Sequence, residues 1–156
     1  MISTTSPASS GTPSVSTSDM NLPICRGGKF TTASTRFPTS FLAFVPVHKR
    51  VEIGWTWYAR RVWAGAVNPS CKRMLMAHGF ETLELNRVEL KADARNTRSC
   101  RAMERFGAKF EGVHRAHMVR PDGRLRDTAW YSVIREEWPA VRDGLDARLA
   151  AFSAAS

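Results

Sequence analysis

A short loop of small residues leads into a predicted helix and has the composition of an anion-binding site. It runs from Ala59 to Val67 and contains Arg61-Val-Trp-Ala-Gly-Ala66. Asn68 is predicted to cap the helix, with Pro69 at the first helical position, where its missing N–H group costs nothing. Because the first N–H groups of a helix have no partner within it and the helix dipole attracts negative charge, such a loop favours phosphate binding. The alternative is a plain turn that leads into a capped helix.

Basic side chains near this loop extend the same interpretation. Arg60, Arg61 and Lys72 are predicted to pair with phosphates. The whole chain contains 23 Lys and Arg against 14 Asp and Glu, for a net charge of +9. Such an excess suits an anionic partner, either a nucleic acid or a phosphorylated cofactor. An arginine-rich surface that is merely solvated explains the charge equally well.

The chain also contains histidines and cysteines, two residue types that bind metals. His114 and His117 lie three positions apart, and on a regular strand such residues face opposite sides. Neither a cysteine nor a third histidine is close in sequence, so we predict no metal site. Cys25, Cys71 and Cys100 are widely spaced without a CxxC motif. They are therefore predicted to be reduced thiols.

Hydrophobic periodicity predicts the elements that position these residues. The segment Val51 to Tyr58 alternates, with Val51, Ile53, Trp55 and Trp57 on one face, which is typical of a strand. A helix at 68–83, a strand at 87–92 and a helix from Asn96 to a stop at Gly107 follow. Strands at 110–119 and 125–134 are joined by a Pro-Asp-Gly turn, and a helix at 139–152 ends the series. This order predicts a fold of the α/β (α+β) class. Its mixed sheet is expected to have a central parallel strand pair and to be flanked by helices.

Four stretches in this order resemble the GCN5-related N-acetyltransferases (GNAT). Within that family the resemblance is greatest to the branch of the RimJ/RimL ribosomal-protein acetyltransferases. The four stretches are Val51-Glu-Ile-Gly-Trp-Thr-Trp57, the loop from Arg60 to Asn68, Asp93-Ala-Arg-Asn-Thr-Arg-Ser99 and Arg126-Asp-Thr-Ala-Trp-Tyr-Ser132. The resemblance implies an N-acetyltransferase that transfers acetyl from acetyl-coenzyme A to a primary amine, with a protein N-terminus as one candidate acceptor.

The resemblance also implies which residues bind the cofactor. In this family the loop presents backbone N–H groups to the pyrophosphate, and the implied residues here are Ala64, Gly65, Ala66, Val67 and Asn68. Ala64 stands where glycine is usual. Family members splay the strand at Val51 from the next strand, and the pantetheine arm lies in the gap, which implicates Trp55 and Thr56.

Catalytic roles follow from the same resemblance. Glu52 stands where many relatives have a carboxylate that accepts a proton from the attacking amine. An exposed strand residue paired with an arginine is the alternative. Asn96 is implied to hold the pantetheine arm, and simple N-capping is an alternative that the same residue can satisfy. Many relatives have a tyrosine seven positions later that protonates the thiolate. This chain has Met103 there, so Ser99 is the available hydroxyl.

The amino-terminal part departs from the family pattern. Residues 1–28 are predicted to be disordered, because the first twenty are rich in Ser and Thr and poor in apolar residues. A partial GNAT domain is predicted over 29–152, with its cofactor-binding half from about Val51. The family has a strand, two helices and two strands before that point, so the chain is predicted to be N-terminally truncated. Remnant strands are predicted at Ser34 to Phe37 and at Phe41 to Val45.

Two functions remain after these observations. No leader signal or apolar stretch of transmembrane length occurs, so a cytoplasmic protein without a membrane partner is predicted. The predicted partners are acetyl-coenzyme A, an amine acceptor and a second copy of the chain. The alternative is a non-catalytic remnant that binds coenzyme A or an anionic partner such as RNA. Nucleic acid is disfavoured because the chain lacks an RNA motif or an interleaved aromatic platform.

Overall fold

The computed structural model describes residues 39–154, and every structural statement below concerns them. Three predictions lie outside these residues: the disordered tail at 1–28, the strand at Ser34 to Phe37, and the state of Cys25.

A five-stranded mixed sheet forms the scaffold. Its strands are β1 Ser40–Val45, β2 Arg50–Gly54, β3 Arg87–Asp93, β4 Lys109–Val119 and β5 Leu125–Ile134. They lie in the order β1-β2-β3-β5-β4. Its central pair, β2 and β3, is parallel, and the other neighbouring pairs are antiparallel. The predicted fold class is therefore confirmed, and so is the strand near Phe41.

Three helices pack against this sheet: α1 Val67–Ala77, α2 Thr97–Arg105 and α3 Trp138–Ala154. A π-helical turn, His78–Thr82, continues α1 almost to the predicted end of that helix. The helices bring Leu75 and Met76 from α1, and Leu145 from α3, against one face of the sheet. Among residues 39–154, no helix is both long enough and apolar enough to cross a membrane.

The core contains the residues that the alternating patterns predict. Val51 and Ile53 of β2 and Val88, Leu90 and Ala92 of β3 are all buried in one hydrophobic cluster. Because successive side chains on a strand point to opposite faces, the remaining residues of these strands lie on the other face of the sheet. That second face carries most of the charged groups described below.

The predicted strand through Tyr58 is too long, because β2 ends at Gly54. Trp55 has a φ of 51°, in the left-handed region that interrupts an extended strand. As a result Trp55 and Trp57 do not join the core face, and they are 82% and 66% exposed.

The β4–β5 hairpin follows the prediction at its turn and departs from it within β4. Gly123 adopts a φ of 78°, and the N–H of Arg120 donates to the carbonyl of Arg124 at 2.9 Å. Within β4, Ala116 has a φ of 51° and the register shifts between His114 and Met118. This irregularity is a bulge that changes which side chains share a face.

Candidate active site

The two central strands separate partway along their length. They pair only at Arg50 with Arg87, Val51 with Val88 and Glu52 with Glu89. Beyond that point β2 pairs with β1, while β3 continues alone with β5 as far as Asp93. Backbone edges that pair with no neighbouring strand therefore face each other across a gap at the carboxyl ends of the parallel strands. An extended chemical group with amide bonds can occupy such a gap by forming strand-like hydrogen bonds.

Glu52 lies where this gap begins. Its side chain is 5% exposed, and its Oε2 is 2.7 Å from Nζ of Lys91 on β3. The alternative prediction, an exposed residue paired with an arginine, does not match this geometry. Lys91 lies beyond the last paired position of β3, so the ion pair spans the opening between the strands. A buried carboxylate with one cationic partner and a neighbouring gap is placed to exchange a proton with a bound amine.

Gly54 leaves space for the Glu52 side chain, and Trp130 contacts that of Lys91. A Cβ atom on Gly54 would lie 3.0 Å from Glu52 Oε1 and 2.6 Å from Leu42 Cδ1, so a side chain here would displace Leu42 and crowd the carboxylate. The ammonium of Lys91 lies 5.1 Å from the ring centre of Trp130 on β5. A cation over an indole face is attracted to it, and this contact holds Lys91 beside the gap.

The loop before α1 has a different helix start from the predicted one. Ala66 already has helical dihedral angles, and α1 begins at Val67, so Asn68 and Pro69 lie inside the first turn. The prediction that Asn68 caps the helix is wrong. Proline is tolerated there because the first four N–H groups of a helix need no intrahelical partner. The side-chain Oδ1 of Asn68 is buried without a hydrogen-bond partner among the described residues.

Backbone geometry explains the small residues of this loop. Ala64 has a φ of 61°, which is the left-handed conformation that glycine adopts most readily. Gly65 is half-buried, and a Cβ atom there would meet only the carbonyl oxygen of Val62, at 3.5 Å. Arg60 and Arg61 form a short turn of 3-10 helix just before them. The N-terminal end of α1, small side chains and guanidinium groups are thus close together in sequence and structure.

Trp63 links this loop to the start of α2. Its indole N–H donates to the carbonyl of Tyr58 at 2.8 Å. The guanidinium carbon of Arg98, in the first turn of α2, lies 3.7 Å from the Trp63 ring centre, and that of Arg60 lies 5.6 Å away. These contacts concentrate positive charge between the N-terminal ends of two helices, where anions are stabilised.

Lys72 and Thr56 connect α1 to the segment that follows β2. Lys72 is 4% exposed, and its ammonium donates to the hydroxyl groups of Thr56 at 2.8 Å and Thr39 at 3.0 Å. The predicted pairing of Lys72 with a phosphate stays a prediction. In this structure the side chain holds Thr56 in place beside the end of β2.

Asn96 caps α2, as the sequence predicts. Its Oδ1 accepts a hydrogen bond from the backbone N–H of Ser99 at 3.1 Å. Ser99 is half-buried in the first turn of the helix, just after β3. Met103, seven positions after Asn96, lies in the core and is 6% exposed.

The histidine prediction is wrong, because the two side chains lie on the same side of the sheet. The bulge at Ala116 brings the rings of His114 and His117 to 5.5 Å, and both contact Trp130. His117 Nδ1 lies 3.1 Å from the hydroxyl of Thr128. No group of three or more His, Cys, Asp or Glu side chains in residues 39–154 is arranged to hold a metal ion.

Sequence reasoning missed Lys91 and Trp130. Alternation places Lys91 on the face opposite Val88 and Leu90, which is the face of Glu52. The sequence does not reveal the register between β2 and β3. With that register, the contact between Lys91 and Glu52 would have been predictable. No local pattern marks Trp130 as the support for the lysine.

A family model described as an acetyltransferase (GNAT) domain matches residues 25–109. This chain belongs to the GNAT acetyltransferase family. It is 34% identical over 92 residues to the Bacillus subtilis protein named "putative ribosomal N-acetyltransferase YdaF", a match that covers 59% of the chain and 49% of that protein. The chain spans about half the length of the curated relatives it matches.

Solved structures of GNAT acetyltransferases share the fold. A crystal structure titled "putative acetyltransferase" from T. thermophilus superposes with a TM-score of 0.69 at 44% identity, covering 71% of this chain and 58% of that one. Mycobacterium smegmatis RimJ, solved in complex with CoA-disulfide, superposes with a TM-score of 0.57 at 26% identity. That match covers 64% of this chain and 47% of RimJ.

Proposed function

We propose that this GNAT chain binds acetyl-coenzyme A between β2 and β3 and transfers its acetyl group to a primary amine, with a protein N-terminus as the acceptor. The observation that carries the proposal is the separation of the two strands after Glu52 and Glu89, with a buried carboxylate at the start of the gap. The name of the Bacillus relative and the coenzyme A derivative bound to RimJ support the same assignment.

The residues around the gap fit the chemistry of coenzyme A. Its pyrophosphate needs N–H donors and cations, which the N-terminal end of α1 and the guanidinium groups of Arg60 and Arg61 supply. Asn68 lies in the first turn of α1, where its backbone N–H is one of the donors without an intrahelical partner. In the proposal the loop residues Ala64, Gly65, Ala66 and Val67 bind phosphate through their backbone. Trp55, Thr56 and Asn96 lie along the pantetheine arm, and Lys72 keeps Thr56 in position.

Bound acetyl-coenzyme A supplies an electrophilic thioester carbonyl. Glu52 then accepts the proton that the acceptor amine loses while its nitrogen forms a bond to the carbonyl carbon. Ser99 donates a proton to the sulfur as the carbon–sulfur bond breaks. Lys91 keeps the Glu52 carboxylate at the opening through their 2.7 Å contact. The largest contribution of the site is positional, because holding two reactants in line can lower the barrier by several kcal/mol.

Isothermal titration with acetyl-coenzyme A tests the binding half of the proposal. A screen of N-terminal peptides for acetyl transfer by mass spectrometry tests the chemical half. Saturable binding with transfer to at least one peptide is the expected result. If the protein binds no coenzyme A but binds RNA with a steep salt dependence, the proposal fails and the alternative of an anion-binding remnant stands.

A further inference from the structure

An open pocket of about 500 Å³ lies between the end of β3 and the β4–β5 turn. Asp93, the last residue of β3, provides one wall. The turn and the start of β5 provide the others, through Arg120, Pro121, Asp122 and Arg126. None of these residues has a role in the proposed cofactor site.

The guanidinium groups in this pocket outnumber the carboxylates that they contact. Arg120 and Arg126 share Oδ2 of Asp93: Arg120 contacts it directly, and Nε of Arg126 is 3.9 Å away. Nε of Arg126 is buried without a hydrogen-bond partner among the described residues. The remaining carboxylate, Asp122, pairs with Arg124. The side chains of Arg120 and Arg126 are 34% and 25% exposed, so accessible N–H groups of both can bind a further carboxylate in a planar, two-pronged geometry.

The position of the pocket relates it to the proposed acetyl-transfer site. Asp93 follows Lys91 by two residues on β3, so both side chains lie on the same face of the sheet. The distance along a strand between such residues is roughly 7 Å. Lys91 in turn contacts Glu52, the proposed proton acceptor. By register Glu52 lies opposite Glu89, four residues or roughly 13 Å before Asp93 along the strand. An extended peptide advances about 3.3–3.6 Å per residue, so a long acidic side chain on the third residue of an acceptor reaches the pocket when its amine lies at Glu52.

We propose that this pocket binds a carboxylate of the acceptor, and that the preferred acceptors are peptides with an acidic side chain within their first three residues. The inference rests on the proposed acetyl transfer to a protein N-terminus. The net charge of +9 acts in the same direction, because it attracts acidic chains over long distances and repels basic ones. A lysine or arginine at the same acceptor position would face Arg120 and Arg126, which disfavours basic acceptors.

Fluorescence anisotropy with two labelled peptides of equal length, one beginning Ser-Glu-Glu and one beginning Ser-Lys-Lys, tests this inference on the full chain. The acidic peptide is expected to bind at least about tenfold more tightly. Arg120→Gln and Arg126→Gln are each expected to weaken its binding by about tenfold. Arg126→Lys keeps the charge but loses the planar fork, so an intermediate loss is expected.

Arg142→Gln is the matched control. It removes the same charge from the protein, but it lies on α3, where its side chain pairs with Asp143, and it does not line the pocket. Little change in affinity is expected for it. Equal binding of both peptides, no binding of either, or an equal loss in the Arg142 variant would overturn the inference. Circular dichroism verifies that each variant is folded, and Arg120→Gln provides the test if Arg126→Gln unfolds.

Titration with acetyl-coenzyme A separates this inference from the proposed function. Cofactor binding without peptide preference overturns the acidic specificity alone. If the protein prefers the acidic peptide but does not bind acetyl-coenzyme A, the proposed function is overturned. The same result supports the carboxylate pocket.

Discussion

Glu52 is the residue on which the proposed chemistry depends most. Its carboxylate is buried at the last position where β2 and β3 pair, and Lys91 is its cationic partner. Its register partner Glu89 is also buried, but that carboxylate binds Arg50 and Arg87 at 2.9 Å each. Two buried carboxylates with different partners, Glu52 at 4% and Glu89 at 7% exposure, thus allow a controlled comparison.

The substitution Glu52→Gln is expected to lower the rate of acetyl transfer about 100-fold, because a carboxamide cannot accept the amine proton. Affinity for acetyl-coenzyme A should stay unchanged, since the side chain keeps its shape. Steady-state kinetics and calorimetric titration measure the two effects separately. Glu89→Gln is the control and should retain most of the rate at matched folded fraction. Equal losses in both variants would mean that Glu52 contributes only to folding.

Ala64 has a conformational penalty that glycine would avoid. A left-handed backbone costs an L-residue about 1–2 kcal/mol, partly offset by the greater freedom of unfolded glycine. Ala64→Gly is therefore expected to raise the free energy of unfolding by about 0.5–1 kcal/mol, as measured by urea denaturation. Ala66→Gly is the control. Its φ is −69°, so the same exchange should destabilise the protein by a similar amount. Destabilisation by both variants would contradict the assignment of strain to Ala64.

Among the structural elements, the core strands follow the sequence patterns closely. Val51, Ile53, Val88 and Leu90 alternate with polar residues, and this period of two determines which face is buried. Such a pattern does not show at which residue the backbone angle φ is positive. The left-handed conformation of Trp55, which ends β2 early, therefore depends on tertiary context.

The candidate site shows the same division between local and non-local information. Asn96 caps α2 because a short polar side chain before a helix satisfies a local need, and this is predictable. The pairing of Glu52 with Lys91 depends on the register of two strands that are far apart in sequence. The contact between His114 and His117 depends on a bulge at an alanine, a residue type that carries no signal for one.

The loop before α1 gives a prediction about the cofactor. Gly65→Asp should weaken acetyl-coenzyme A binding by about tenfold or more, because it places a negative charge beside the proposed pyrophosphate site. Calorimetric titration measures the affinity, and thermal denaturation verifies the fold. Gly144→Asp on α3 makes the same chemical change at a position where a Cβ atom would meet nothing within 4 Å. If that control loses as much affinity as Gly65→Asp, net charge and not the loop determines binding.

Across the whole molecule, the face of the sheet opposite the core is connected by ion pairs. Arg50 of β2 and Arg87 of β3 both bind Glu89, and Arg87 also binds Glu111 of β4. The hydroxyl of Ser132 on β5 donates to Glu111 at 2.8 Å. Four strands are thus joined by side chains as well as by their backbones, and the strength of these links depends on the charge of the carboxylates.

Stability should therefore depend on pH through Glu111. The hydrogen bond from Arg87 lowers the pKa of this carboxyl below its ordinary value of 4.5; burial opposes the shift, and the Ser132 hydrogen bond adds to it. A lowered pKa in the folded state contributes stability above pH 4.5 that is lost as the pH falls through the lowered value.

Glu111→Gln should accordingly cost less than about 1 kcal/mol near pH 7, since the pair is partly exposed. That cost should shrink as the pH falls below 4.5 and the parent carboxyl takes up a proton. Urea denaturation of both proteins at a series of pH values from neutral downward measures the difference. A cost that does not change with pH would show that the Glu111 charge has no part in it.

The contact between Arg98 and Trp63 makes the protein an optical reporter of its own loop. Indole emission responds to a nearby cation, and Arg98 lies 3.7 Å from the centre of the ring. A phosphate that draws this guanidinium away will change the fluorescence without any added label. The chain has five tryptophans, so Trp63→Phe should remove that change and leave the other four emitting. The time course of the signal would then give the rate at which anions enter and leave the loop.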